Sequence, residues 1–386
     1  MAKIIPFERK NMKITVIGAG NAGCLTALHY GYYTRNIKDI SVELIYNPNL
    51  PPEKVGQGSL PNLPRMLWQS MSVNWHDNPI DATPKFGILY EGWGKKRDKV
   101  YHPFSFDDVA IHMSPNKLQD TILKSGYFSV KEQDIIEYNQ IDSDYIFDCR
   151  GKPDNLDDYL ELESPVNSVI LAQDSKRDMY QNWTRSVATP DGWCFVIPNT
   201  SNTTSYGYLY NHHITSDKNA KENFEQSFDV EATDQFKFNQ YVAKNPIIDD
   251  RIILNGNKLF FLEPLEATAI SAYMDWTRST WDWIIDGTST PDIITKDFHE
   301  FVLQVNNFIS WHYMFGSKYD TPFWEEAKKI SFKDPLFDSY LMNAKQHSFE
   351  ELLWNNQNDN GEAKGYGQWN AWNFKYWYEG MMNGKN

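Results

Sequence analysis

The sequence predicts an α/β fold, a Rossmann-like dinucleotide-binding body followed by a helical C-terminal part. Three observations carry this expectation. A buried strand over Met12–Ile17 runs directly into the glycine-rich turn Gly18-Ala19-Gly20-Asn21-Ala22-Gly23. Small and apolar residues at helical spacing follow over Cys24–Tyr33, then a second strand over Ser41–Tyr46, which is the βαβ context a dinucleotide turn requires. After Pro291 the apolar pattern becomes helical, over Lys296–Ser310, Trp324–Ile330 and Tyr340–Leu353.

Between these landmarks, Asn47–Pro64 is rich in Pro, Gly and Asn and reads as one long loop. Lys85–Trp93 reads as a strand with a following turn, Lys117–Ser125 as a short helix and Tyr145–Cys149 as a buried strand. Gly192–Pro198 and Ser205–Tyr210 read as strands, and Ala220–Lys244 as a polar helical stretch. Asn257–Ile270 runs from a strand through a Pro corner into a helix reaching Ile285. Gly361–Asn386, rich in Gly and Trp, shows no clear period, and no internal repeat is present. The expected division is a binding and catalytic body over 12–290 and a helical, aromatic-rich part over 291–386.

Composition removes several function classes. With Lys+Arg 37 against Asp+Glu 51, the formal charge of the 386 residues is −14, which repels phosphate backbones and anionic membrane surfaces alike. No apolar run approaches the roughly 20 residues of a spanning helix, and MAKIIPFERK lacks the apolar core of a secretory signal. Cys24, Cys149 and Cys194 are odd in number and far apart, which fits a reducing cytoplasm. His212-His213 has no third ligand at metal spacing, so no metal site is expected. Aromatic residues at 15% are abundant enough to leave room for a self-association surface.

The turn has a physical logic. Gly18 permits the tight bend, Gly20 lets the backbone approach a pyrophosphate beside Asn21 and Ala22, and Gly23 allows close helix–strand packing. An acid at the end of the second strand usually grips the ribose, yet Tyr46 and Asn47 stand there. A single such turn points to one bound flavin, with electrons arriving from elsewhere. Asp148, closing the strand before Cys149-Arg150-Gly151, is placed to approach the cofactor's diphosphate or ribitol.

Five further segments, in order, resemble the flavin-dependent halogenases of the tryptophan halogenase superfamily. Val55-Gly56-Gln57-Gly58-Ser59-Leu60-Pro61-Asn62-Leu63 looks like that family's loop after the second strand. Pro84-Lys85-Phe86-Gly87-Ile88 with Trp93 resembles the strand bearing its essential lysine. Trp193-Cys194-Phe195-Val196-Ile197-Pro198 is similar to its WxWxIP signature, with Phe195 in place of the second Trp. Glu263-Pro264-Leu265-Glu266-Ala267-Thr268-Ala269-Ile270 looks like its EPLESTGI, and His312-Tyr313 with Asp320-Thr321-Pro322-Phe323-Trp324 resembles its late HY…DTPFW stretch. Gly256 stands at a flavin turn, with Lys258 and Phe260 where small residues are expected.

The resemblance implies the Rossmann-like FAD domain of the flavin monooxygenase and tryptophan halogenase type. It implies an enzyme that takes FADH2 from a separate flavin reductase, combines it with O2 and halide to form hypohalous acid, and halogenates a small electron-rich aromatic. Lys85 would hold and polarise the hypohalous acid or carry the halogen, and Glu266 would take the ring proton or orient the donor. Gly56, Ser59 and Leu60 would join the turn, Asp148 and Gly256 in holding FAD. The backbone of Thr268 and Ala269 would face the halide. His102, Pro103 and Phe104 resemble the wall on which indole-type substrates stack, and Trp193 and Phe195 the strand between flavin and substrate. Two alternatives stay open: an FAD aromatic monooxygenase of the same fold, and a flavin-binding scaffold without catalysis.

Overall fold

A computed structural model describes residues 11–52, 56–95, 97–104, 108–135, 137–175, 181–198, 203–330, 332–352 and 365–383. Val55 of the loop motif, Leu353 and residues 361–364 lie outside the described residues.

The N-terminal βαβ unit forms as expected. Strand Met12–Ile17 pairs in parallel with Ile40–Tyr46 on one side and Tyr145–Asp148 on the other. This sheet has six strands, ordered Ile247–Ile248, Ile252–Leu254, Tyr145–Asp148, Met12–Ile17, Ile40–Tyr46 and Ser129–Glu132. Helix Asn21–Thr34 is buried on nearly every side because it lies between that sheet and helix Ala269–Ile284. Hydroxyls cross the helix pair, Thr26 to Thr277 at 3.2 Å and Tyr30 to Thr280 at 3.0 Å, so the polar groups in this apolar seam are satisfied.

A seven-stranded sheet carries the second half of the body: Ala232–Lys237, Ser168–Asp174, Thr204–Tyr210, Gly192–Pro198, Thr184–Thr189, Gly87–Glu91 and Lys99–Pro103. Its pairings are antiparallel except between Thr184–Thr189 and Gly87–Glu91. Two three-stranded sheets complete the described set, one of them Gln57–Gly58, Ala110–Met113 and Thr83–Lys85.

Four expectations change. The single strand over Lys85–Trp93 is two strands in different sheets, Thr83–Lys85 and Gly87–Glu91, with exposed Phe86 between them. The backbone crosses at Gly87, where a Cβ would lie 2.3 Å from the His102 carbonyl oxygen. Lys85 therefore ends one sheet beside the start of another. The loop over Asn47–Pro64 gives way to helix Asn62–Met71, whose Pro64 falls in the first turn, where a missing N–H is harmless. The helical stretch ends at Asp229, which adopts a left-handed conformation, and edge strand Ala232–Lys237 and strand Gln240–Ala243 follow. The tail without a period contains helix Ala371–Trp377, capped by the Asn370 side chain.

The late helices begin at prolines earlier than their apolar patterns suggest: Pro291–Met314, Pro322–Ala327 and Pro335–Gln346. They share one apolar core with the N-terminal body, running from Ile14 to Met381. Among the described residues no helix is long and apolar enough to cross a membrane.

Candidate active site

The glycine turn sits where the chain leaves the parallel sheet between strands running to opposite sides, the usual place for a dinucleotide in such folds. Gly18 has φ +96°, and a side chain on Gly23 would meet the Gly18 carbonyl oxygen at 1.9 Å. A Cβ on Gly20 would meet nothing within 4 Å, so this stretch of backbone is open to a ligand. Asn21 donates to Gln57 at 2.6 Å and ties the turn to the next loop. Gly256 has φ +64° and lies against Ala22, so a residue with a side chain there would press on the helix start. These features suit a pyrophosphate at the helix N-terminus. Asp148 is spoken for inside the protein: it is fully buried, accepts from Tyr138 at 2.6 Å and is gripped by Arg150 at 2.9 Å through both oxygens. Sequence reasoning missed Glu132. It closes the neighbouring parallel strand in register with Tyr46 and accepts from the Tyr46 hydroxyl at 3.2 Å, so a carboxylate stands beside the end of the second strand.

Lys85 is completely buried, and burial pulls its ammonium down from 10.5 to about 7 while the charge of Glu266 opposes that fall. Its Nζ donates to the Ser59 carbonyl at 3.1 Å and lies 5.3 Å from the Phe104 ring centre, a cation–π distance. Ser59 itself is fixed by two bonds to Ile111, at 2.8 and 3.1 Å, and Gly56 donates to the Ser205 hydroxyl at 3.0 Å. A Cβ at Gly58 would come within 3.3 Å of both Lys85 Nζ and Thr184 Oγ1, so a side chain there would crowd the lysine. Leu60 is half-buried at the end of this loop.

Glu266 is buried in a cage of donors. Tyr90 donates to Oε1, His312 Nε2 lies 3.1 Å from the same oxygen, and Trp369 Nε1 donates to Oε2 at 3.3 Å. His102 Nδ1 lies 3.7 Å away. Burial alone would raise this carboxyl, but the bonds from His102 and His312 outweigh it and hold the group well below the usual carboxylate range. Glu266 and Ala267 both adopt positive φ, 71° and 55°, a strained pair immediately before Thr268 and helix Ala269–Ile284. Thr268 is buried, and its carbonyl accepts from Ala272 at 3.0 Å as the helix starts.

The expected aromatic wall is partly a polar one. His102 is buried and its Nε2 accepts from Asn373 at 2.9 Å, while Pro103 and Phe104 are half-buried at the end of that strand. Trp193 is buried and donates to the Tyr313 hydroxyl at 2.8 Å, which in turn donates to Glu263 Oε2 at 2.7 Å. Phe195 lies across Gly207 on the next strand. Tyr90 and Asn373 join this centre without any sequence signal that singles them out, and Trp369 and Trp377 of the tryptophan-rich tail, where the sequence leaves a pocket lining open beside an ordinary core role, join it too.

The sequence model of the family described as tryptophan halogenase matches residues 13–144 and 154–368. The chain belongs to that family. It is 21% identical to the tryptophan 6-halogenase ThaL of Streptomyces albogriseolus, across 84% of this chain and 80% of that one. Among solved structures, a tryptophan halogenase from Shewanella frigidimarina superposes with a TM-score of 0.78 at 17% identity, covering 97% of this chain and 89% of its own. The tryptophan 5-halogenase MibH gives a TM-score of 0.78 at 16% identity, covering 99% and 87%. Tryptophan halogenases are flavin-dependent enzymes, and as a family they use reduced FAD, a halide and O2.

Proposed function

We propose that this chain is an FADH2-dependent halogenase acting on a small electron-rich aromatic of the phenol or indole class. Residues 12–290 form its binding and catalytic body in this reading, and 291–386 close over it. The observation that carries the proposal is a fully buried lysine that meets no carboxylate among the described residues, close enough to a caged Glu266 to feel its charge. A buried ammonium held near neutrality suits a group that must donate a proton and regain it.

Gly18, Gly20, Asn21, Ala22 and Gly23 would hold the diphosphate of FAD, with Tyr46 and Glu132 offering polar atoms to the ribose. Bound and reduced, FAD supplies the two electrons with which O2 and halide become hypohalous acid. The N–H groups of Thr268 and Ala269 would face the halide. Lys85 Nζ then bonds to the oxygen of the hypohalous acid and gives it a proton as the halogen–oxygen bond breaks and water leaves. The ring electron pair forms the carbon–halogen bond, and Glu266 takes the proton lost from that carbon. One proton is given and one is taken, so the residues need no net supply. A separate reductase would deliver the FADH2.

The test is turnover with FAD, a flavin reductase, NADH and each halide against a panel of phenols and indoles, scored by mass spectrometry. Halide-dependent product that disappears in Lys85→Ala is expected. Hydroxylated product independent of halide would move the assignment to a monooxygenase.

A further inference from the structure

The hydrogen-bond partners around Glu266 settle more than its ionisation. His312 Nδ1 lies 2.7 Å from the Phe308 carbonyl oxygen, which only accepts, so Nδ1 carries a proton. Were His312 neutral, Nε2 would bear a lone pair facing Glu266 Oε1 at 3.1 Å, acceptor against acceptor. One further proton must therefore lie between them. Tyr90 also donates to Oε1 and Trp369 to Oε2, and donors of this kind favour the ionised carboxylate over the acid. The proton is thus placed on His312. Its ring is enclosed by other rings, Trp377 at 4.1 Å, Phe308 at 5.1 Å and Tyr90 at 5.6 Å between centres, which suits a cation.

His102 is the opposite case. The Asn373 amide is oriented by its oxygen, which accepts from the Asn370 N–H at 3.0 Å, so its nitrogen donates to His102 Nε2 at 2.9 Å. That nitrogen bears no proton, and His102 is neutral with its single N–H on Nδ1, towards Glu266 at 3.7 Å.

We propose that His312 is a positioning residue, a doubly protonated imidazole that anchors Glu266 through Oε1. Oε2, met at 3.3 Å by the Trp369 N–H, remains the oxygen that works on substrate. This rests on Glu266 being the base of the halogenation proposed above.

Histidine 15N spectra of the whole protein at neutral pH test the charge state without turnover. The His312 ring is assigned through its Nδ1–H···O=C link to 13C-labelled Phe308, which needs no variant. Protons on both nitrogens of His312, with His102 protonated on Nδ1 alone, are expected; a single proton on His312 would overturn the proposal. The kinetic arm is His312→Gln, expected to lower kcat roughly 10- to 100-fold with KM little changed, the scale of one lost charged hydrogen bond. A folded variant with unchanged kcat would overturn the positioning role. If no halogenation is found at all, the spectra still decide the charge state, and only the function is lost.

Discussion

Glu263 and Glu266 stand three residues apart on one loop, both buried, and the protein holds them in opposite charge states. Burial pushes Glu263 from 4.5 up to about 8, against which the bonds from Tyr313 and Trp193 are too little, and among the described residues its Oε1 has no hydrogen-bond partner. Glu266 suffers the same burial but faces Tyr90, His102, His312 and Trp369, and stays ionised. The difference lies in donor number and charge, not depth. It divides the labour too. A neutral Glu263 is a structural link through Tyr313 to Trp193, whereas an ionised Glu266 is equipped to take a proton.

The strongest way to break this comparison is Glu266→Leu. His312, Tyr90 and Trp369 would lose their common acceptor, and urea unfolding should show a loss of about 3–5 kcal/mol, as for other broken buried pairs. A loss below about 1 kcal/mol would mean the cage is not holding a charge.

Next is the pH dependence of Glu263. The folded protein retains a proton here that the unfolded chain releases, so the stability from this group is complete below 4.5 and is lost as pH rises towards about 8. Glu263→Gln carries no such proton. Its stability relative to the native protein should climb by a few kcal/mol across that window, and a constant difference would show that Glu263 is ionised.

Tyr313→Phe should cost about 1 kcal/mol and move the upper end of that window higher, since the Tyr313 bond lowers the Glu263 carboxyl. Smallest is Trp369→Phe, which removes the long bond to Glu266. Thermal unfolding should register about 0.5 kcal/mol.

How much of this was legible in the sequence depends on distance along the chain. The turn from Gly18 to Gly23 could be read because its strand, bend and helix are contiguous. Lys85 and Glu266 were reached by resemblance, but the burial of Lys85 was not, since the break at Phe86 that seats it between two sheets follows from a close approach to the His102 strand. The partners of Glu266 lie 46, 103 and 176 residues away, and no local pattern marks them. In the sequence His312 stands out only as part of a motif, and Asn373 lies on a helix whose aromatic residues hide its period.

The most direct test of the account is the halogenation rate of Glu266→Gln beside that of Glu263→Gln, in one assay with reductase-supplied FADH2, halide and the accepted aromatic. The rate should fall roughly 100-fold or more for Glu266→Gln, because the proposed proton acceptor is gone, and change by no more than a few-fold for Glu263→Gln, because an amide replaces an already neutral acid. Equal losses, or the reverse order, would contradict it.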